Sequence, residues 1–345
     1  MSGATVLVTS RSFSSGAIDL ERRLLEAGHR VVRGDTRHDL ETLAPVLSEA
    51  SAWIAGTAPV TAALIDAAPA LRVIARYGVG FDAVDVAAAE RRGIAVTNTP
   101  GANSESVADL ALALLLASLR TVGAGDHAVR RGDWAAIRGR EVSSLTVGVA
   151  GFGRIGRLFA DRARALGASV VAFDPFLPDD ATLPAGVRRA HEVAELAVCD
   201  AVSLHAPGGR RIVDADWLAN ARDLALVNTA RADLVDEAAL AEALRDGRVA
   251  SYAGDTLDVE TATVTSSADV AGCADVPASP LLAADLADRV LVTPHLGAQT
   301  VQAIDRMGEG AVDNVLAVLA GLGPVTPVAA PAPAPAHADS QKVLP

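Results

Sequence analysis

Short apolar runs with strand character alternate with helical patterns along most of this chain, and that alternation constrains its fold more than any other feature. The first series of runs covers residues 5–9, 30–32, 52–55, 73–75 and 94–97. Helix-like stretches over 17–27 and 84–92 lie among them, each followed by a glycine, Gly28 and Gly93, where a helix stop is expected. Strands joined through helices pair in parallel, so the pattern predicts a parallel sheet with helices on its faces. A second series begins near Leu145, with strand-like runs over 146–150, 169–173, 201–204, 224–228, 250–253 and 290–292 and helix-like stretches over 154–166 and 237–245. Two long helical segments frame it, Ser104–Leu119, with Asn103 as the expected N-cap, and residues 300–319. They read as crossings between a discontinuous domain and one inserted into it. The expected division is 1–100 with 296–322, and 101–295.

The remaining segments are read by exclusion. Residues 261–279 are small and polar and predict a long loop. The stretch 323–345 is rich in Pro and Ala without periodicity and predicts a disordered extension. A net charge of -12, with Lys and Arg scattered, argues against nucleic acid or an anionic membrane as partner. The longest apolar run, residues 110–119, is bounded by Asp109 and Arg120 and is too short to span a bilayer. The N-terminus enters its first strand without a basic region and cleavage site, so no signal peptide is expected and a cytoplasmic location follows. Cys199 and Cys273 make no disulfide framework, and no His/Cys spacing suggests a metal.

The run over 146–150 leads into Gly151-Phe152-Gly153-Arg154-Ile155-Gly156. After a strand and at the start of a helix, this pattern fits a dinucleotide. Gly151 allows the tight turn, Gly153 lets a pyrophosphate approach, and Gly156 lets the helix pack on the strand. Helix N-terminal N–H groups would hold the phosphates. Asp174 closes the next run, where a carboxylate can accept both ribose hydroxyls and would repel a 2′-phosphate. NAD is therefore expected over NADP.

Three further stretches stand in order: Val227-Asn228-Thr229-Ala230-Arg231, then Gly254-Asp255-Thr256-Leu257-Asp258-Val259-Glu260, then Thr293-Pro294-His295-Leu296-Gly297-Ala298. Together with Arg76-Tyr77-Gly78-Val79-Gly80-Phe81-Asp82 and Asn98-Thr99-Pro100-Gly101, they resemble the signature segments of the D-isomer-specific 2-hydroxyacid dehydrogenases. The resemblance covers nearly the whole chain except the tail. It implies an α/β fold of two Rossmann-like domains, the NAD-binding one inserted into a discontinuous flavodoxin-like substrate domain. It also implies hydride transfer between NAD(H) and C2 of a small 2-oxo or 2-hydroxy acid. Arg231 would bridge carboxylate and carbonyl oxygen with its planar fork. His295 would act as acid and base, and Glu260 would orient its ring and favour imidazolium. Cofactor contacts fall by resemblance on the glycine loop with Arg154 and Ile155, on His205 and Pro207, on Thr229 and Ala230, and on Asp255 at the nicotinamide carboxamide. Val79 and Gly80 would offer backbone N–H groups to the substrate carboxylate, and Arg76 would reach its distal part.

The chain departs from the family pattern in places. Thr261 stands where Pro usually follows the Glu, and Gly208-Gly209-Arg210-Arg211 replaces a longer Thr-containing turn. Ala55-Gly56 occupies the place of the Arg-Ser pair of phosphoglycerate-oxidising relatives, and no regulatory domain follows the last helix, which argues against serine biosynthesis. The long interval from Glu260 to His295 resembles the D-lactate branch, whereas the surroundings of Arg76 resemble the phosphoglycerate branch, so the substrate stays open. A homodimer is expected, because Ser104–Leu119 and the segment through Trp134 carry much apolar surface and relatives pair there. Hinges are expected near Pro100 and Pro294. Two alternatives keep the same motifs: an NAD-sensing interaction protein, like the corepressors of this superfamily, and an enzyme oxidising formate or phosphite. Formate enzymes carry Gln where Glu260 stands, which disfavours the latter.

Overall fold

In the computed structural model, residues 3–178, 180–261 and 279–329 are described, without the side chains of Glu260 and Thr261. The loop expected over 261–279 therefore lies almost wholly outside the described residues. The chain forms two units, Met1–Pro100 with the chain from Asp305 on, and Gly101–Ile304.

The first unit alternates strands and helices: β1 (Thr5–Val8), α1 (Leu20–Glu26), β2 (Arg30–Arg33), α2 (Leu40–Leu47), β3 (Ala50–Ala55), α3 (Ala62–Asp66), β4 (Val73–Arg76), α4 (Val86–Arg91) and β5 (Ala95–Thr97). All strand pairs are parallel, in the order β2-β1-β3-β4-β5. The helices begin later than the apolar pattern suggests because aspartates take the caps. Asp19 accepts the Arg22 N–H ahead of α1, and Asp85 accepts that of Ala88 ahead of α4. Gly28 and Gly93 follow these helices at φ 85° and 67°, which a Cβ would disfavour. Leu7, Leu47, Trp53, Ile65 and Ile74 fill a core with no solvent exposure, each contributing roughly 1.5–3 kcal/mol by burial.

The order of this sheet reverses between β1 and β3, and their C-terminal ends carry a buried polar network. The Thr9 hydroxyl accepts from Trp53 Nε1 at 2.9 Å and from the Gly56 N–H at 3.3 Å, and meets His38 Nε2 at 2.7 Å. His38 Nδ1 lies 3.0 Å from the Pro59 carbonyl. A carbonyl only accepts, so Nδ1 carries the proton and Nε2 accepts from Thr9. Every polar atom of this network has a partner.

The second unit opens with α5 (Ser104–Leu119) and α6 (Val122–Arg130), followed by β6 (Thr146–Ala150), α7 (Arg154–Ala165), β7 (Ser169–Phe173), β8 (Val187–Arg189), β9 (Ala201–Leu204), α8 (Ala215–Leu218), β10 (Leu224–Asn228), α9 (Glu237–Arg245), β11 (Val249–Gly254) and β12 (Val290–Val292). Its parallel sheet runs β12-β11-β10-β9-β6-β7-β8. The short edge strand β8, with two arginines in three residues, gives no apolar run and is not legible in the sequence. Asn103 occupies the N-cap position of α5, but its side chain accepts nothing and its Oδ1 is buried without a partner. Apolar residues of α5 and α7 cover one face of the sheet, and α8 and α9 cover the other. Among the described residues, no single helix is long and apolar enough to cross a membrane.

The last helix, α10 (Val301–Leu319), leads back into the first unit. The stretch expected to be disordered from Gly323 is placed there through Ala329. Buried Asn314 accepts the N–H groups of Val325 and Thr326 at 2.9 and 3.0 Å, and Val328 N–H donates to Val96 beside β5. The side chains of Asn314 and Thr326, the latter donating its hydroxyl to the Asn98 carbonyl, and one edge bridge hold this segment, and none of these leaves a periodic signal in sequence. The remainder of the tail lies outside the described residues.

Candidate active site

Within the second unit the order of strands reverses between β6 and β9, the place where open parallel sheets bind ligands beyond their C-terminal ends. The glycine loop leaves β6 here, and its three glycines answer to different constraints. Gly151 sits at φ 94°, and a Cβ on it would lie 2.7 Å from the backbone of His205 and Ala206. A Cβ on Gly156 would lie 2.0 Å from the Gly151 carbonyl oxygen, so only glycine lets α7 pack on the turn. Gly153 faces open space and caps α7 without a side-chain acceptor, leaving first-turn N–H groups for an anion. Arg154 and Ile155 form that first turn. Asp174, just past β7, accepts the Phe152 N–H at 2.8 Å and the Phe176 N–H at 2.9 Å, one on each oxygen. A carboxylate has about four acceptor sites, so capacity for ribose hydroxyls remains.

The ends of three neighbouring strands carry buried polar atoms without partners. After β9, both ring nitrogens of His205 are out of water and unbonded, although part of the residue is exposed. Its ring tilts against Phe159, 5.0 Å between centroids, and desolvation pushes its pKa down to about 3. After β10 the Thr229 hydroxyl, and after β11 that of Thr256, are buried and unbonded. Leaving such groups unsatisfied costs roughly 1–3 kcal/mol each, and a polar ligand seated across these strand ends would recover it. The glycine cradle, the free helix N-terminus and these orphans together fit a dinucleotide. The Ala230 N–H is bonded to Asn228 Oδ1 at 3.0 Å, and Pro207 is exposed.

Arg231 follows β10 and is half-buried, its Nη1 donating to the Ala230 carbonyl at 2.8 Å. The Gly208-Gly209 turn lies beside it. A Cβ on Gly208 would fall 3.2 Å from Arg231 Cγ and 2.9 Å from the Asp233 carboxylate, which accepts the Gly209 N–H. The short glycine turn is thus fitted to this arginine. His295 is exposed on the loop after β12, at φ 53°. Asp255, 2% exposed, holds that loop: one oxygen accepts from the Thr293 hydroxyl and from Leu296 N–H at 2.7 Å, the other from Gly297 N–H at 2.7 Å. Ser106 of α5 donates to the Gly297 carbonyl at 2.6 Å. The carboxylate expected at the nicotinamide therefore spends most of its acceptor capacity on the loop that presents His295.

Glu260 stands on a short 3-10 turn, Asp258–Thr261, and its side chain lies outside the described residues. Buried Glu237, the first residue of α9, accepts the Asp258 N–H at 2.8 Å and the Ser279 hydroxyl, so one carboxylate gathers both ends of the intervening segment. Glu237 opens the helix expected over 237–245, and no local signal reveals this second use. In the first unit, Arg76 ends β4 nearly buried and donates to the carbonyls of Tyr77 and Ala55. Asn98 donates to the Val79 carbonyl at 2.7 Å, and Gly80 is half-buried.

Residues 112–297 match the family model described as D-isomer specific 2-hydroxyacid dehydrogenase, NAD binding domain. The chain is 39% identical over 290 residues to D-3-phosphoglycerate dehydrogenase of Mycobacterium tuberculosis, covering 82% of this chain and 52% of that one. It thus spans about half the length of the mycobacterial relatives. It is 37% identical over 262 residues to hydroxypyruvate reductase of Thermotoga maritima, covering 74% and 80%. A solved structure of an NADPH-dependent glyoxylate/hydroxypyruvate reductase from Sinorhizobium meliloti superposes with a TM-score of 0.78 at 29% identity, covering 94% of this chain and 98% of that one.

Proposed function

The chain belongs to the D-isomer specific 2-hydroxyacid dehydrogenase family, and on that premise we propose that it is an NAD-dependent reductase of small 2-oxo acids, reversible toward the 2-hydroxy acid. The observation that carries this reading is the row of orphaned polar atoms, His205, Thr229 and Thr256, at the strand ends beside the glycine loop, next to the loops that carry Arg231 and His295. A bound NADH supplies the hydride that reaches C2. Arg231 holds the carboxylate and carbonyl oxygen of the oxo acid, and its permanent charge stabilises the oxygen as negative charge develops there. His295 delivers a proton to that oxygen and recovers it in the reverse direction, with Glu260 at its other ring nitrogen. Asp174 selects NAD by repelling a 2′-phosphate. Arg76, Val79 and Gly80 keep the substrate-binding role that the resemblance gives them.

The substrate class in this proposal rests on one departure from the family pattern. Ala55 and Gly56 offer no charge where a phosphate would be held, which supports a short uncharged tail, as in glyoxylate or hydroxypyruvate, over phosphoglycerate. A homodimer belongs to the same proposal. Val122, Val129, Trp134 and Ile137 are 56%, 43%, 81% and 48% exposed on and after α6, an apolar patch that pairing would cover.

The test is NADH oxidation with a panel of 2-oxo acids, including glyoxylate, hydroxypyruvate, pyruvate and phosphohydroxypyruvate. Turnover of a short acid is expected, and His295→Ala should lower it by on the order of a hundred-fold or more. NADH binding without turnover of any acid would favour the NAD-sensing reading instead.

A further inference from the structure

Asn228, the last residue of β10, has no solvent exposure, and both side-chain polar groups and its main-chain carbonyl are directed at loops of the candidate site. Its side-chain oxygen accepts the Ala230 N–H at 3.0 Å, and its amide nitrogen donates to the Arg231 carbonyl at 2.8 Å. The orientation of the amide is forced, because an N–H can only donate and a carbonyl can only accept. Its main-chain carbonyl accepts the Asp255 N–H at 2.9 Å, and the Asp255 carboxylate in turn wraps the loop of His295.

We propose that Asn228 is a positioning residue for substrate: its amide fixes the Thr229–Ala230 turn and so sets the direction from which Arg231 presents its guanidinium. This rests on the proposed role of Arg231 in binding the oxo acid. A strand end alone does not demand it. The chain could leave β10 with the Ala230 N–H and Arg231 carbonyl turned to water, as most loops do. Here both are bonded by one fully buried side chain three residues or fewer away, so a shift of Arg231 must break two hydrogen bonds to a group that water does not reach. A misplacement of about 1 Å in a binding group is enough to cost on the order of a hundred-fold in rate. The two closest replacements do not fit both partners. Asp has the shape but sets an oxygen against the Arg231 carbonyl, and Ser keeps an acceptor but cannot reach the carbonyl.

The experiment uses oxalate, a planar non-reacting analogue of an oxo acid, titrated into the full chain in the presence of NADH and followed by quenching of nicotinamide fluorescence. Asn228→Asp should weaken oxalate at least ten-fold, and by clearly more than it raises the NADH dissociation constant, which is measured separately. Asn228→Ser, neutral and smaller, serves where the buried aspartate prevents folding, and should also weaken oxalate several-fold. The same substitutions are then made on Arg231→Ala. If Asn228 acts through Arg231, they change the residual oxalate affinity by less than two-fold there. Wild-type-like oxalate affinity in both variants, or an equal further loss without Arg231, would overturn the proposal. A wild-type chain that binds no oxalate and reduces no oxo acid removes the reading of Arg231 itself, and this inference with it.

Discussion

The two sheets each have a point where strand order reverses, and the chain treats the two points in opposite ways. In the first unit, between β1 and β3, Thr9, His38, Trp53 and Gly56 satisfy one another completely. In the second, between β6 and β9, a Cβ-free turn and an uncapped helix face open space, and buried atoms of His205, Thr229 and Thr256 on the neighbouring strand ends lack partners. The topology is shared, so topology alone does not make a ligand site. What differs is whether the protein spends its own polar groups there. A closed network stiffens a crevice, and an unsatisfied one reserves hydrogen bonds for something else.

The largest effect expected from this contrast is on Gly151. Its φ of 94° and the 2.7 Å approach of a Cβ to the His205 backbone mean that Gly151→Val should weaken NADH more than a hundred-fold by calorimetric titration. The matching change in the first unit, Gly56→Ala, places a Cβ 2.7 Å from the Thr9 carbonyl oxygen. It should lower stability and leave NADH affinity alone. Equal losses of affinity in both variants would break the contrast.

Asp174→Ala should narrow the preference for NADH over NADPH by roughly ten-fold or more, as a nearby like charge is removed. Steady-state kinetics with both cofactors measure it, and a wild type that already prefers NADPH would contradict the role given to Asp174. Smaller again is the effect of His205→Ala. Loss of one partner for the dinucleotide should raise the NADH dissociation constant by about five- to ten-fold, whereas an unchanged constant would mean that the orphaned ring awaits no ligand.

The smallest effect on cofactor binding, none, is expected for His38. Burial lowers its pKa below 6.5, with Arg76 acting in the same direction against Asp35 and the Pro59 and Ala58 carbonyls. The folded state thus holds a neutral ring. Above pH 6.5 both states are neutral and the group costs nothing. As the pH falls below 6.5, the unfolded chain takes up a proton that the folded one refuses, and stability drops. His205 adds a slope of the same sign down to about 3. Urea unfolding of wild type and His38→Asn between about pH 5 and 8 should show a shallower acid slope in the variant, with NADH affinity at neutral pH unaltered. Thr9→Val should cost about 1–3 kcal/mol at any of these pH values.

Much of the candidate site can be read directly from the chain. The glycine loop, Asp174, Arg231 and His295 sit in local patterns whose chemistry is carried by residue type and close spacing. The same is true of the strand–helix alternation, because apolar periodicity, aspartate caps such as Asp19 and Asp85, and glycines at positive φ act within a few residues of themselves. β8, too short and too charged, carries no such signal, and in α2 Pro45 interrupts a helical pattern that Asp39 otherwise caps.

Other features exist only through contacts distant in sequence. Asp255 is a cofactor contact by resemblance, and the chain alone does not show that its carboxylate also meets Thr293, Leu296 and Gly297, about forty residues on. Glu237 gathers Asp258 and Ser279, and Asn314 holds a segment that composition marks as unstructured. The sequence by itself determined which residues can do chemistry and which stretches become strands and helices, since those are decided by side-chain type and short-range sterics. The order of strands, and with it which polar groups meet and which are left for a ligand, was decided only by the tertiary structure, because a hydrogen bond depends on where its partner is brought and not on how near it lies along the chain.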